Sequence, residues 1–160
     1  MQVTDEMIKK AEEWNEFKSN KFTAKKNNPI KQRELTVIGN LAEIVFYEKY
    51  KDSKRISDTD YNADFILKNK RVDVKVKLGN EYLKPFYEVS IQASQKMYDV
   101  DWYAFYHYNR RKKDINFLGW ISKKDFFIKA NLKRQGDIYK NNNHKIENDV
   151  YQLKISELTN

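Results

Sequence analysis

Residues 61–77 have the sequence YNADFILKNKRVDVKVK, and the predicted fold depends most on this stretch. Its second half alternates valine with charged residues, which is typical of a strand with one face toward a core. Residues 61–67 and 71–77 are predicted strands joined by a short turn at 68–70, in which Asn69 tolerates a left-handed backbone. The stretch therefore predicts a β-hairpin with a buried valine face.

The opposite face of the second strand carries Asp73, Lys75 and Lys77. A two-residue turn at 69–70 would place Asp64 opposite Lys75, with Asp73 on a diagonal within about 5–8 Å. Two carboxylates at that separation can share one divalent cation. A three-residue loop would instead turn Asp64 to the other face. A solvated, charged strand face without a site is the alternative interpretation of the D-x-K pattern.

The remaining pattern predicts a single domain of α/β or α+β class with a mixed sheet. Residues 19–34 are expected to form a loop or basic arm, and Thr36 is a candidate helix cap. Ser122 is expected to cap the predicted helix over 123–130, with Asp125 at the capping-box position. Helices are predicted over 5–18, 35–50 and 123–130, with a short one over 93–100. Further strands are predicted near 55–57 and over 86–92, 102–108, 115–121 and 149–155.

The composition favours a polyanionic partner. Lys and Arg number 31 against 23 Asp and Glu, which gives a net charge of +8, although a basic surface without a role is equally compatible. The absence of cysteine excludes disulfides, zinc–thiolate sites and cysteine nucleophiles. We expect a cytoplasmic protein without a membrane segment, because no signal peptide or long apolar run is present, and no nucleotide cofactor, because no glycine-rich phosphate loop occurs.

Several polar residues outside the hairpin are candidates for a site. Glu43 lies at the margin of the apolar stripe of helix 35–50, where it either turns outward or faces something polar. Gln92 ends a strand and could cap the next helix or orient a water. His107, on an aromatic strand, is expected to be a core or edge residue. A basic turn, expected to be solvated or to contact phosphates, consists of Arg110, Arg111, Lys112 and Lys113.

Taken in order, these residues resemble the PD-(D/E)xK nuclease superfamily, which has the restriction-endonuclease-like fold. The matching pieces are Glu43 in GNLAEIVFYEKY, Asp64 in ADFIL, Asp73 and Lys75 in VDVKVK, and Gln92 in SIQASQ. The resemblance implies an αβββαβ core with a mixed central sheet. It covers residues 35–108, which leaves an N-terminal helix and basic arm over 1–34 and an accessory hairpin, helix and strand over 109–160.

The chain departs from the family pattern at two places. Ala63 precedes Asp64 where many members have proline, and an extra stretch over 78–87 separates the D-x-K strand from Gln92. Because of the second departure, the assignment of the family's glutamine to Gln92 has the weakest support of these assignments.

The resemblance implies an endonuclease that hydrolyses DNA phosphodiester bonds with Mg²⁺, for which Mn²⁺ can substitute, and leaves a 5′-phosphate. Lys75 would orient or activate the nucleophile, Lys77 would contact phosphate or replace it as a base, and Gln92 would orient a water. A bacterial or phage origin and a homodimer are expected. The metal ligands would be Asp64, Asp73, the carbonyl of Val74 and Glu43. The alternatives are a DNA-binding protein of this fold without catalysis, and an interaction domain with a coincidental D-x-K strand.

Overall fold

The structure is a computed structural model, which describes residues 1–19, 29–56, 62–138 and 145–159 and, within these, no side chains at 15–19 and 29–32. The helices of this part of the chain are α1 (Asp5–Ser19), α2 (Pro29–Lys49) and α3 (Lys123–Lys129). Its strands are β1 (Lys54–Arg55), β2 (Phe65–Leu67), β3 (Lys70–Gly79), β4 (Glu88–Gln92), β5 (Trp102–Asn109), β6 (Asp114–Ser122), β7 (Asn131–Lys133) and β8 (Val150–Lys154).

The strands form two sheets. The larger sheet has the order β1-β2-β3-β5-β6, in which β3 and β5 run parallel and every other neighbouring pair is antiparallel. The smaller sheet has the order β4-β8-β7 and is antiparallel throughout. The chain is thus a mixed α+β protein with a mixed sheet, as the sequence predicted.

The larger sheet is covered on both faces. Helices α1 and α2 pack on the face that carries Val72, Val74 and Val76, so the predicted packing of this face on the core is confirmed, with Val72 buried and the other two half-buried. The other face packs against α3 and the smaller sheet through an aromatic cluster centred on Tyr103 and Phe105. Because side chains alternate along a strand, the charged residues of β3 lie on this second face.

The hairpin between β2 and β3 turns one residue earlier than expected. Lys68 and Asn69 have φ values of 50° and 61°, which are the left-handed conformations of a two-residue turn. Phe65 consequently pairs with Val72, so the expected turn at 69–70 and the pairing of Asp64 with Lys75 are wrong. The register differs from the expected one by two residues, so Asp64 stays on the predicted face and comes alongside Asp73.

The second helix begins earlier than its apolar stripe predicts. Helix α2 starts at Pro29, so the loop prediction is wrong for 29–34, and the rest of the predicted arm at 20–28 lies outside the described residues. Proline suits the first turn of a helix, where its missing N–H costs no hydrogen bond. Thr36 lies inside α2 and therefore does not cap it.

Elements in the second half of the chain agree with the sequence in most cases. Ser122 caps α3, and its Oγ accepts a hydrogen bond from the Asp125 amide at 3.0 Å. The helix predicted over 93–100 is a 3₁₀ turn over Ala93–Met97, and strand β7 was not predicted. Within the described ranges, no helix has the length and apolar character needed to cross a membrane.

Candidate active site

Three charged residues of the β2–β3 hairpin lie together. The buried Asp73 carboxylate forms an ion pair with Lys75, with 2.7 Å between Oδ2 and Nζ. Asp64, immediately before β2, accepts a hydrogen bond from the Val74 amide on its Oδ2 at 2.8 Å, and its carboxylate is close enough to Asp73 to help raise the pKa of that residue. The structure therefore brings Asp64, Asp73 and Lys75 into one cluster.

The cluster lies where the edge of the larger sheet opens. Strand β2 pairs only with residues 70–72 of β3. From Asp73 onward β3 pairs with β5 on one side, and no strand among the described residues pairs with it on the other. The Val74 amide points to this open side, toward Asp64. Its carbonyl points to the same side, because the N–H and C=O of one strand residue share a direction.

The two carboxylates share their surroundings with one ammonium group. Burial raises the pKa of Asp73 to about 7, and the neighbouring Asp64 adds to this increase, while Lys75 acts against it. Burial acts to lower the pKa of Lys75, but Asp73 and Asp64 outweigh it and the net shift is upward. The cluster therefore has an excess of negative charge that, without a further cation, is relieved by retaining a proton near neutral pH.

The donor set suits a hard divalent cation such as Mg²⁺. All of the candidate ligand atoms are oxygens, namely the carboxylates of Asp64 and Asp73 and the carbonyl of Val74. Among the described residues, no cluster of three or more His, Cys, Asp or Glu residues has a metal-binding arrangement. Mg²⁺ commonly keeps several waters and takes only one or two protein carboxylates, and the cluster offers two.

Glu43 lies in the helical layer, on the other side of the larger sheet from the charged residues of β3. It lies on α2, which packs against the valine face of β3, and its side chain is buried. Its Oε2 lies 3.9 Å from a guanidinium nitrogen of Arg55, whose charged group covers the ring of Trp14 at 4.0 Å from the ring centre. The structure groups Glu43 with Arg55, and a role for Glu43 as a metal ligand stays a prediction.

Gln92 lies on a different sheet from the carboxylate cluster. It ends β4 in the smaller sheet, where Ile91 is buried and the Gln92 side chain is exposed. Although Gln92 precedes the 3₁₀ turn, its side chain makes no capping hydrogen bond, so the interpretation as a helix cap is wrong. The extra stretch between β3 and β4 places this glutamine on a different sheet from Asp73.

Tyrosines near the cluster were not singled out from the sequence. Tyr103 pairs with Asp73 across the parallel strands and is fully buried. Its hydroxyl has no hydrogen-bond partner in the described part of the chain, and burial together with the Asp73 charge raises its pKa. Tyr98 lies close enough to Lys75 to affect the pKa of that lysine. No local motif signals these positions, because both depend on pairing between distant segments.

Lys77 lies two residues beyond the cluster on the same face of β3. It is half-buried, and burial lowers its pKa while the nearby Glu88 acts in the opposite direction. Its partner across the sheet is His107, which is 1% exposed and thus confirmed as a core histidine. Lys77 is therefore enclosed between sheets, and its predicted contact with phosphate stays a prediction.

The basic turn over residues 110–113 connects β5 to β6 and is exposed, as expected of a hairpin turn. Asn109 supports it, because its Oδ1 accepts the amides of Arg111 and Lys112 at 3.1 Å. Arg110 forms an ion pair with Glu34 at 3.0 Å. Contact with DNA phosphates is not tested by this geometry.

A groove of about 460 Å³ lies away from the cluster of Asp64, Asp73 and Lys75. Residues of α1 and α2 form most of its wall, and Arg110 and Lys113 border it. Because Asp64, Asp73 and Lys75 do not line this groove, we place the candidate chemistry at the open sheet edge.

The raised pKa of Asp73 predicts a pH-dependent stability in metal-free protein. Its ordinary value is 3.8, so between about pH 4 and 7 the folded state holds a proton that the unfolded chain has released. The free energy of unfolding should fall as pH rises through this window and level off above it. Asp73→Asn should remove this dependence and stabilise the protein at pH 8 by about 2 kcal/mol, because the buried carboxylate charge is gone.

Urea unfolding at pH 5 and pH 8 in a chelator measures this effect. Asp99→Asn is the matched control, because Asp99 is exposed and pairs with Arg71 instead of the cluster. An equal pH dependence in wild type and Asp73→Asn would contradict the assignment of the raised pKa to Asp73.

No family model matches the chain, and no curated protein matches it either.

Proposed function

We propose that the protein is a Mg²⁺-dependent DNA endonuclease of the PD-(D/E)xK type, with Mn²⁺ able to substitute. The observation that carries this proposal is the buried Asp73 beside Asp64, paired with Lys75 at 2.7 Å at an open sheet edge. A bound divalent cation would supply Lewis-acid neutralisation of the phosphate and a lowered pKa for its water.

The topology supports the family proposal at the level of element order. Helix α2 precedes the β2–β3 hairpin, and β5 returns parallel to β3 after the 3₁₀ turn. This order and the parallel pairing agree with the proposed αβββαβ restriction-endonuclease-like core. The smaller sheet and α3 would then be accessory elements.

The side chains of the cluster have separable roles in this proposal. Asp64 is held in position by the Val74 amide, and Asp73 is held by Lys75, so both carboxylates are preorganised before a cation arrives. The Lys75 ammonium offsets negative charge that develops on the phosphate and orients the nucleophile. Glu43 would contribute from the α2 side by holding a second metal or an outer-shell water.

The overall charge supports DNA as the substrate polymer. With a net charge of +8, the chain attracts a polyanion, and the exposed turn over 110–113 offers four cations to phosphates. One site of this kind cuts one strand, so a homodimer would be needed for concerted cleavage of a duplex.

DNA binding should weaken steeply with salt. If the four cations of the basic turn contact phosphates, affinity should fall about a hundredfold between about 50 and 200 mM salt, because counterions are released on binding. Fluorescence anisotropy in a chelator measures the slope. A flat slope would remove nucleic acid as the partner.

The direct test is incubation of purified protein with plasmid, linear, branched and single-stranded DNA in Mg²⁺, in Mn²⁺ and in a chelator. We expect cleavage of at least one form that depends on the cation and leaves a 5′-phosphate. Nicked plasmid would indicate independent sites, and linear plasmid formed at once would indicate a dimer. Absence of cleavage with a cation bound at Asp64 and Asp73, measured by calorimetry, would favour the inactive DNA-binding alternative. Absence of carboxylate-dependent cation binding would favour an interaction domain.

A further inference from the structure

An aromatic loop follows strand β3. In residues 80–87, which we call the aromatic loop, Tyr82, Phe86 and Tyr87 are 58%, 61% and 37% exposed. Single exposed aromatic residues are common on protein surfaces, but three within six residues form a concentrated apolar surface. The rings of Phe86 and Tyr87 stand perpendicular with centres 5.0 Å apart, so each ring keeps a face that the other does not cover.

The aromatic loop is anchored at both ends. Arg110 donates its amide to the Gly79 carbonyl at 2.8 Å, and the Tyr82 hydroxyl donates to Asp114 at 2.8 Å. At the other end the Ile155 amide donates to the Tyr87 carbonyl at 2.8 Å. These contacts hold the loop backbone and the Tyr82 hydroxyl in place before any ligand binds, which lowers the entropy cost of binding to the loop.

Positive charge surrounds the exposed rings. Lys84 lies within the loop, with Nζ 5.8 Å from the centre of the Phe86 ring. The basic turn over 110–113 adjoins the loop, since Arg110 bonds to Gly79 and Arg111 lies 4.0 Å from Glu81. Together these segments offer five cations against the carboxylates of Glu81, Glu34 and Asp114. The surface thus combines aromatic faces with a net positive charge.

We infer that the aromatic loop and the basic turn bind single-stranded DNA, with bases stacked on Phe86 and Tyr87 and phosphates at Lys84 and residues 110–113. Every base has a π-face that an aromatic ring can cover, and cations beside the rings attract the backbone. Bases inside a duplex already stack on their neighbours, so their faces are not offered to a protein. The charge of the surface favours this occupant over an apolar protein segment.

This inference deepens the proposed function, on which its catalytic meaning rests, by naming the substrate class. Gly79 lies six residues beyond Asp73 on β3, which is about 20 Å along the strand. A DNA strand with a rise of about 3.4 Å per nucleotide covers that distance in about six nucleotides. A substrate with an unpaired segment on the aromatic loop would therefore present a phosphate near Asp73 about six nucleotides away.

The test measures binding in a chelator, where no cleavage occurs, with a fluorescein-labelled 20-nucleotide oligothymidylate and a duplex of equal length as probes. Wild type should prefer the single strand. Phe86→Ala should weaken its binding about tenfold, the loss expected for one stacked base, and leave the salt slope unchanged. Phe86→Trp should restore binding, and the new indole should be quenched by the oligonucleotide. Lys112→Ala should reduce the salt slope instead.

Ile128→Ala is the matched control, because Ile128 is 69% exposed on α3 and lies outside the loop. The inference is overturned if Phe86→Ala binds the single strand as wild type does, or if the duplex binds as tightly and with the same sensitivity to Phe86. Failure of the nuclease proposal would give a different experimental result. Wild type would then bind the oligothymidylate through Phe86 and yet cleave no DNA in Mg²⁺ or Mn²⁺.

Discussion

Asp73→Asn is expected to reduce cleavage by about a thousandfold or more while DNA binding stays equal or becomes slightly stronger. The asparagine amide is nearly isosteric with the carboxylate, so the packing of Val72 on the core should survive. The change removes one negative charge from the cation site, and with it the charge that holds the metal beside Asp64. It also removes repulsion between the protein and the phosphate, which is why affinity should not fall.

The measurement for Asp73→Asn is a plasmid-nicking time course beside a binding isotherm, both at pH 8 where the wild-type carboxyl is ionised. Asp99→Asn serves as the control for an exposed carboxylate and should cut at the wild-type rate. Should Asp73→Asn also cut at that rate, β3 is not the catalytic strand.

Lys75→Ala is expected to lose about a hundredfold or more in cleavage rate and to keep a bound cation, since an ammonium is not a metal ligand. Lys75 acts to lower the pKa of Asp73, so its removal should raise that pKa further. Cation binding should therefore be measured well above pH 7. At that pH calorimetry should find the Mn²⁺ site intact while nicking is lost.

Lys77→Ala is the matched control for Lys75→Ala. Lys77 lies on the same face of β3, two residues along, and pairs electrostatically with Glu88 and not with Asp73. It should keep activity within about threefold of wild type, because its electrostatic partner is Glu88 and the Lys75–Asp73 ion pair stays intact. An equal loss in both variants would mean that general positive charge, and not the Lys75–Asp73 ion pair, supports the reaction.

The β3 segment shows how far local pattern extends. Alternation of valine and charge predicted a strand, the face that packs on the core and the common face of Asp73, Lys75 and Lys77, and the structure agrees on each. The capping of α3 by Ser122 was equally predictable, because the bond joins residues three apart. Such features depend on the backbone period and on neighbours in the chain.

The start of α2 shows where local signals compete. A stretch rich in polar residues that contains Pro29 is compatible with both a loop and the first turn of a helix. Near the start of α2, Arg33 forms an ion pair with Glu12 of α1 at 3.7 Å, and this contact between the helices favours the longer helix. Helix propensity, which depends on each residue alone, takes no account of that contact.

The sequence by itself determined the class of the fold, the strand that carries Asp73 and Lys75, and the face on which they lie. Only the tertiary structure decided that Asp64 lies beside Asp73, that Tyr103 lies across the sheet from it, and that Gln92 belongs to another sheet. The reason is physical. Periodicity follows from the geometry of one strand, whereas register, parallel pairing and the assignment of strands to sheets depend on turn conformation and on packing between segments distant in sequence.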